Sequence, residues 1–435
     1  MSNPNPVGKY RFRILALLIY ATTINYFDRS LIGVLAPILE DMFGWTNNDY
    51  ANIMIAFKVA YAIGMLTMGG IIDRLGTKNG YTLAIGIWSL FGMLHAAVRP
   101  AFSIIGFSLA RFGLGFGESG HFPAAQKTVA EWFPKKERAF ATGLYNAATS
   151  IGAIAAPFIV AWIVDGATGA GWQIPFLITG VLSTIWVILW RKIYTKPEEN
   201  KTLSKEELDY IESDSSGTPE STEKLAWAKV LPKRQTWAFA AAKLTDAVWW
   251  FYLFWGAKFL FDTFDVKLKD IGWPFFIMYM LADGGSIVGG WISGAFMNKG
   301  WSINKARKMT LLICAILILP VSYVAITDNK WLAVVLIGIG AAGHQAWSAN
   351  IFTLVSDVFP KKAVASVTGI GGMMGAVAGI VGDKLLGSVL DQAGNSGYFW
   401  AFMIAGSCYL IILGIIHVLM PKMTPLDDNL ELVKE

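Results

Sequence analysis

Apolar runs of about twenty residues or more recur from one end of this 435-residue chain to the other. No other feature restricts the fold so severely. Roughly 20 apolar residues in a helix cross the hydrocarbon core of a bilayer. Lipid offers no partner to a peptide group, so a chain that enters it repeatedly does so as helices that satisfy their own backbone. Twelve runs can be marked, at about 14–39, 50–72, 80–98, 102–126, 139–163, 174–194, 236–261, 272–296, 309–327, 331–355, 364–390 and 397–420. Only 15% of the residues are charged, against roughly 25% in a soluble domain. The expected fold is therefore an all-α polytopic membrane protein with twelve transmembrane helices. Cys314 and Cys408 both fall in apolar runs, which speaks against a disulfide framework or a metal site.

The net charge of +5 sits mostly in short loops, so it bears on topology and not on nucleic acid. Lys9, Arg11 and Arg13 precede the first run, Arg74 and Lys78 follow the second, and Lys135, Lys136 and Arg138 follow the fourth. The alternate loops are acidic or neutral, with Glu40, Asp41 and Asp49 after the first run and Asp165 after the fifth. By the positive-inside rule both termini are expected to be cytoplasmic.

One long polar stretch, about 195–235, divides the runs six and six. Ser204 followed by Glu207 marks the start of a short helix by a capping box, and Ser213 to Pro219 reads as flexible linker. The domains expected are a six-helix bundle over 1–194, a cytoplasmic linker over 195–235 and a second bundle over 236–435. The halves also resemble each other. Phe-Pro-Lys-Lys at 133–136 and Thr142-Gly143 return at 359–362 and Thr368-Gly369, an offset of 226 residues. Two pseudo-symmetric halves are the organisation of many secondary transporters, whose solute site is expected between them near the bilayer midplane.

Ionisable residues inside the runs are costly, by roughly 2.5–3.5 kcal/mol each on insertion scales, and so mark function. Asp28 and Arg29 lie in the first run, with Tyr26 one turn away; together they offer a proton acceptor, a clamp for a carboxylate and a hydroxyl. The fourth run carries Arg111, Glu118 and His121 among glycines that let a helix or a solute approach. Residues 111 and 118 share a helical face, and 121 neighbours 118. A buried carboxylate beside a cation has an adjustable proton affinity; the same residues also suit a structural Arg111–Glu118 pair. Tyr61 is either a packing residue or a cavity hydroxyl. In the seventh run Lys243 and Asp246 either face a cavity or neutralise each other, with Trp249 close by for the apolar face of a sugar. His344 and Gln345 in the tenth run suit hydroxyl groups or helix contacts.

Gly69-Gly-Ile-Ile-Asp73-Arg74-Leu-Gly76-Thr-Lys78 matches the loop signature of the major facilitator superfamily. Gly290, Gly294, Asn298, Lys299 and Gly300 form a worn counterpart in the second half. Asp73 and Arg74 are expected to serve a cytoplasmic gate, the bland alternative being a positive-inside cap. Tyr26-Phe-Asp28-Arg29, the Arg111 to Glu118 stretch and Glu131 to Arg138 resemble the anion:cation symporter branch of that superfamily, and bacterial hexuronate transporters within it. The resemblance implies that Arg29 grips a substrate carboxylate, that Asp28 and Glu118 carry protons, that Arg111 adjusts Glu118, and that Tyr61 lines the cavity. Lys243 stands where galactonate carriers have glutamine, and Gly371 to Gly375 stands near where they have asparagine.

The expected function is proton-coupled import of an anionic sugar acid, glucuronate or galacturonate, by alternating access in a bacterial inner membrane. The expected partners are that solute, protons and the lipid bilayer, with no nucleic acid and no cofactor, in a monomer. A carrier for an aldonate or sialic acid, or a sensor of the same fold, is the alternative. An intramembrane enzyme is disfavoured, because four histidines at no metal-binding spacing and no large polar domain offer no catalytic constellation.

Overall fold

Each run is helical for nearly its whole length in the structure, a computed structural model that describes residues 8–213, 227–427 and 429–432. Among the described residues, eight helical segments are long and apolar enough to cross a membrane. Two of them, Asn47–Ala97 and Ser366–Leu419, contain 51 and 54 residues. At 1.5 Å per residue that is roughly 75–80 Å of helix, more than twice the hydrocarbon thickness. Large apolar side chains such as Trp162, Ile287, Trp291 and Phe102 stand exposed, the exterior that a lipid-facing surface requires. The molecule is an all-α multi-pass membrane protein.

The helices are α1 (Tyr10–Phe43), α2 (Asn47–Leu94), α3 (Ser103–Glu118), α4 (His121–Trp132), α5 (Lys135–Ile163), α6 (Gln173–Ile193), α7 (Lys205–Glu212), α8 (Trp227–Val230), α9 (Arg234–Lys243), α10 (Asp246–Phe264), α11 (Gly272–Asn298), α12 (Ile303–Ile318), α13 (Lys330–Val358), α14 (Lys361–Ala393) and α15 (Gly397–Leu419). The fourth and seventh runs, read from sequence as single helices, are each broken. Ser119-Gly120 separates α3 from α4, and Leu244-Thr245 separates α9 from α10. Each break lies beside a charged residue, Glu118 in one case and Lys243 with Asp246 in the other.

By internal contact the chain forms two compact units. One comprises Met1–Leu31, Val59–Asp165 and Ala170–Glu220; the other comprises Ile32–Lys58, Gly166–Gly169 and Ser221–Glu435. The end of α1 and the start of α2 thus pack within the second unit.

In the first unit an aromatic column forms the core. Tyr81 meets Trp186 and Trp190, and Trp190 stacks on Tyr194 at 4.2 Å. These rings are anchored as well as packed: the Trp186 and Trp190 indoles donate to the carbonyls of Leu17 and Lys78. An indole buried in this way keeps its one donor satisfied. Ser204 accepts from the Glu207 amide as the capping box requires. The Glu207 carboxylate, however, turns away from its own helix start to accept from the Tyr10 and Arg11 amides and the Arg11 guanidinium. It therefore caps α1 instead of its own helix. The linker residues 214–219 lie outside the described residues.

In the second unit α11 and α13 cross closely: a Cβ on Gly285 would stand 2.2 Å from the Ala342 carbonyl oxygen. Small residues at such a crossing let helix backbones approach.

The repeated sequence has a repeated conformation. Pro134 caps α5 with φ −60° and ψ 153°, and Pro360 caps α14 with φ −61° and ψ 149°. The loop glycines also match, Gly76 at φ 75° and Gly300 at φ 82°, a region that L side chains avoid. Gly76 interrupts α2 and separates the second run from the third.

Candidate functional site

The charges of the first unit collect at one turn of α1. Arg29 Nε donates to Glu118 Oε2 at 2.8 Å, with both side chains buried. The Tyr26 and Tyr61 rings lie 4.9 and 5.0 Å from the guanidinium, close enough for cation–π attraction. The guanidinium thus has a carboxylate at one edge and aromatic faces beside it. Glu118 reaches Arg29 because α3 lies hard against α2: a Cβ on Gly117 would stand 2.6 Å from the Trp88 amide nitrogen. This glycine admits a neighbouring helix. Glu118 Oε1 has no hydrogen-bond partner, and the Asn25 carboxamide lies beside the carboxylate outside hydrogen-bonding geometry.

Asp28 is one residue, about 100° of helix, away from Arg29. It faces Thr179, Glu118 and Arg111, and its Oδ1 lies 3.8 Å from where a Gly92 Cβ would stand. Arg111 is fully buried and acts electrostatically on both carboxylates. The salt bridge of Glu118 is made to Arg29 on another helix.

His121 is held differently. One ring nitrogen is 3.0 Å from the Thr22 hydroxyl and the other 2.8 Å from the Tyr81 hydroxyl. Both nitrogens are engaged, and the break after Glu118 turns the histidine toward the aromatic column. At the loop signature, Lys127 Nζ donates to Asp73 at 2.7 Å, and Arg74 is exposed. Glu131 accepts from Thr77 and Tyr194, which ties the end of α4 to the same loop.

The candidates of the second unit form two groups. Lys243 and Asp246 are paired at 2.6 Å across the helix break. A Cβ on Gly375 would stand 2.8 Å from Asp246 Oδ2, and one on Gly371 3.0 Å from Lys243 Cγ. Gly371 and Gly375 thus make room for this pair. Trp249 stacks on His344 at 5.6 Å, and His344 Nδ1 is 2.7 Å from the Tyr409 hydroxyl. Gln345 is half-buried. Trp249, Tyr252 and Tyr279 line a cavity of about 20 Å³, room for one water and not for a sugar ring.

Sequence reasoning passed over two further charged groups. Lys58, in the second run, donates to Asp383 Oδ2 at 2.6 Å and to the Gly379 carbonyl at 3.1 Å. Lys258, in the seventh, pairs with Glu40 at 2.6 Å and Asp262 at 3.1 Å. Each is a charge inside or beside an apolar run, the same signal that singled out Arg29.

Fold and buried charges together define a polytopic membrane carrier. The model of the Major Facilitator Superfamily matches residues 18–382, and the chain belongs to that family. It is 32% identical to the hexuronate transporter of Escherichia coli K12 over 393 residues, 89% of this chain and 90% of that one. It is 31% identical to the galacturonate transporter of Dickeya chrysanthemi over 329 residues, 74% of this chain and 93% of that one. Among solved structures, a bacterial homolog of the human lysosomal transporter Spinster superposes with a TM-score of 0.76 at 17% identity, covering 97% of this chain and 98% of that one. This last likeness concerns the fold.

Proposed function

We propose that this carrier imports an anionic sugar acid, a hexuronate such as glucuronate or galacturonate, together with protons. The observation that carries the reading is the buried Arg29–Glu118 pair framed by Tyr26 and Tyr61. The fork of an arginine binds both oxygens of a carboxylate. A solute carboxylate arriving at Arg29 displaces Glu118, and Glu118 takes a proton because a second unpaired negative charge in that buried space is expensive. Release of the solute lets Glu118 return to Arg29 and lose its proton. Asp28, beside Arg111, is the second proton carrier. The names of the two bacterial relatives supply the substrate class. The protein is read as two six-helix bundles, 1–194 and 236–435, linked by 195–235. They open the site alternately to each side of a bacterial inner membrane, with both termini cytoplasmic. Lys243, paired with Asp246 at 2.6 Å, exchanges that partner for the acid as a second cation, and Trp249, His344 and Gln345 meet its ring and hydroxyls. Asp73 and Arg74 serve the cytoplasmic gate.

Proteoliposomes test this directly. An inward proton gradient should drive labelled glucuronate to a concentration above that outside. Uptake that ignores the gradient rejects the coupling, and no uptake of glucuronate or galacturonate rejects the substrate.

A further inference from the structure

We propose that Asn25 is a positioning residue for proton coupling, the partner that Glu118 takes once it leaves Arg29. Thr22, Asn25 and Arg29 lie within about 60° of one another around α1, and they face the residues on either side of the break between α3 and α4. Two of the three rungs so formed are made: Thr22 bonds His121 at 3.0 Å and Arg29 bonds Glu118 at 2.8 Å. The middle rung is open. Asn25 is fully buried, and neither its amide nitrogen nor its oxygen has a hydrogen-bond partner among the described residues. The Glu118 carboxylate beside it is open in the same way at Oε1. The bonded rungs on either side fix the spacing of the helices, so the carboxamide stays next to the carboxylate without bonding to it.

A carboxylate only accepts hydrogen bonds, whereas the protonated acid also donates one. A carboxamide has a donor and an acceptor, and its last torsion is roughly two-fold, so a half-turn exchanges them. The displaced, protonated Glu118 donates its O–H to Asn25 Oδ1. The ionised Glu118, on its way back to Arg29, accepts from Asn25 Nδ2. One side chain thus serves both forms in a buried space where an unmade bond is expensive. The other groups around Glu118 are less suited. Arg29 and Arg111 only donate, so neither can receive the proton of the acid. Asp28 is a second carboxyl group that acts on Glu118 through its charge. Tyr26 and Tyr61 turn their ring faces to the guanidinium, and His121 has both ring nitrogens engaged. Asn25 is the neutral neighbour with a donor and an acceptor unengaged.

This inference rests on reading Glu118 as a proton carrier that gives up Arg29 to the solute, but its main test needs no solute. Arg29→Met leaves Glu118 without that partner and so imitates the displaced state. Infrared difference spectra of this purified protein, between neutral and acid buffer, should show a protonated-carboxyl C=O band that vanishes when Glu118→Gln is added, which assigns it. Adding Asn25→Leu instead should move the band to higher frequency, as for a carboxyl group with one hydrogen bond fewer. The same comparison in the parent with glucuronate bound is the second measurement, should Arg29→Met fail to fold. In the otherwise unaltered chain, Asn25→Leu should hold or raise the melting temperature, because it removes two unbonded polar atoms and keeps the shape. It should weaken glucuronate binding about tenfold, the scale of one hydrogen bond of ordinary net strength. An unmoved band, or no band that depends on Glu118, overturns the proposal. A clear fall in melting temperature or a loss of folding in Asn25→Leu also overturns it, since the carboxamide would then already serve the resting structure. A parent that binds no glucuronate rejects the substrate, while the band in Arg29→Met still decides the role of Asn25.

Discussion

Two buried ion pairs fix the first helices of this protein, and they are finished in opposite ways. Lys58–Asp383 is closely bonded: two of the three ammonium donors have acceptors and each carboxylate oxygen has a donor. Arg29–Glu118 is open: Glu118 Oε1 has no hydrogen bond, and neither end of the neighbouring Asn25 carboxamide has one. A buried acceptor left unmade costs about 1–3 kcal/mol, so an arrangement that keeps several is poised to exchange partners. A closely bonded pair has little to gain from rearrangement and acts as a fastening. Burial alone does not separate a site from a brace; the state of the surrounding hydrogen bonds does.

The sharpest way to break this contrast is Arg29→Ala. Truncating one member of a buried charge pair costs about 2–5 kcal/mol. Glucuronate affinity is therefore expected to fall about 100-fold or more, read by the loss of ligand-induced thermal stabilisation. Near-parent affinity would remove Arg29 from the site. Next comes Glu118→Gln, which keeps the shape of the side chain and removes its proton chemistry. Proton-driven accumulation should collapse to the outside concentration while exchange of labelled for unlabelled glucuronate continues. Retained accumulation would move the coupling to another group.

Stability should separate the two pairs in the reverse order. Asp383→Asn and Glu118→Gln each leave a buried cation without its counter-ion, a loss of about 3–5 kcal/mol where nothing offsets it; Glu118→Gln also relieves a carboxylate whose Oε1 has no hydrogen bond, so the melting temperature of Asp383→Asn should drop below that of Glu118→Gln. Active groups are held at a cost to stability, so replacing them is often neutral or better. Equal melting temperatures for the two variants would erase the distinction drawn from their hydrogen bonds.

The pairs also differ in how they could be read beforehand. Asp28 and Arg29 stood out because two opposite charges adjoin in one apolar run. Lys58 and Asp383 each stand alone in theirs, and a lone lysine in a helix reads as one that snorkels to the surface. Its partner is 325 residues away in sequence, and no periodicity carries information over that separation. The helices themselves were legible because length and hydropathy determine them locally. The breaks at Ser119-Gly120 and Leu244-Thr245 were not, since both residue pairs are tolerated within a helix and packing decides. The prolines and loop glycines of the repeat were legible in kind, because proline fixes φ and glycine alone accepts the turn at residue 76.

His121 shows the consequence of such a break. Helical spacing places it beside Glu118, where it could join the proton coupling, and the structure bonds its ring nitrogens to Thr22 and Tyr81. His121→Gln should cost about 1–3 kcal/mol, the range for a disturbed buried network, and should keep proton-driven accumulation. Loss of accumulation in a stably folded variant would return the histidine to the coupling machinery.

The smallest effect is expected where an ion pair is not dry. Lys127–Asp73 is short at 2.7 Å, but its side chains are 31% and 60% exposed. Water competes with such a bond and salt screens it, and exposed pairs contribute about 0–1 kcal/mol. Lys127→Ala should therefore leave the melting temperature nearly unchanged. If the loop gates the cytoplasmic side, the same variant should still alter the rate of glucuronate exchange, because freeing Asp73 changes the partners available to Arg74 and its neighbours. A large loss of stability would mean that distance outweighs solvation in these pairs, and the distinction between the two buried pairs would then rest on the wrong variable. An unchanged exchange rate would reduce the signature loop to a positively charged cap.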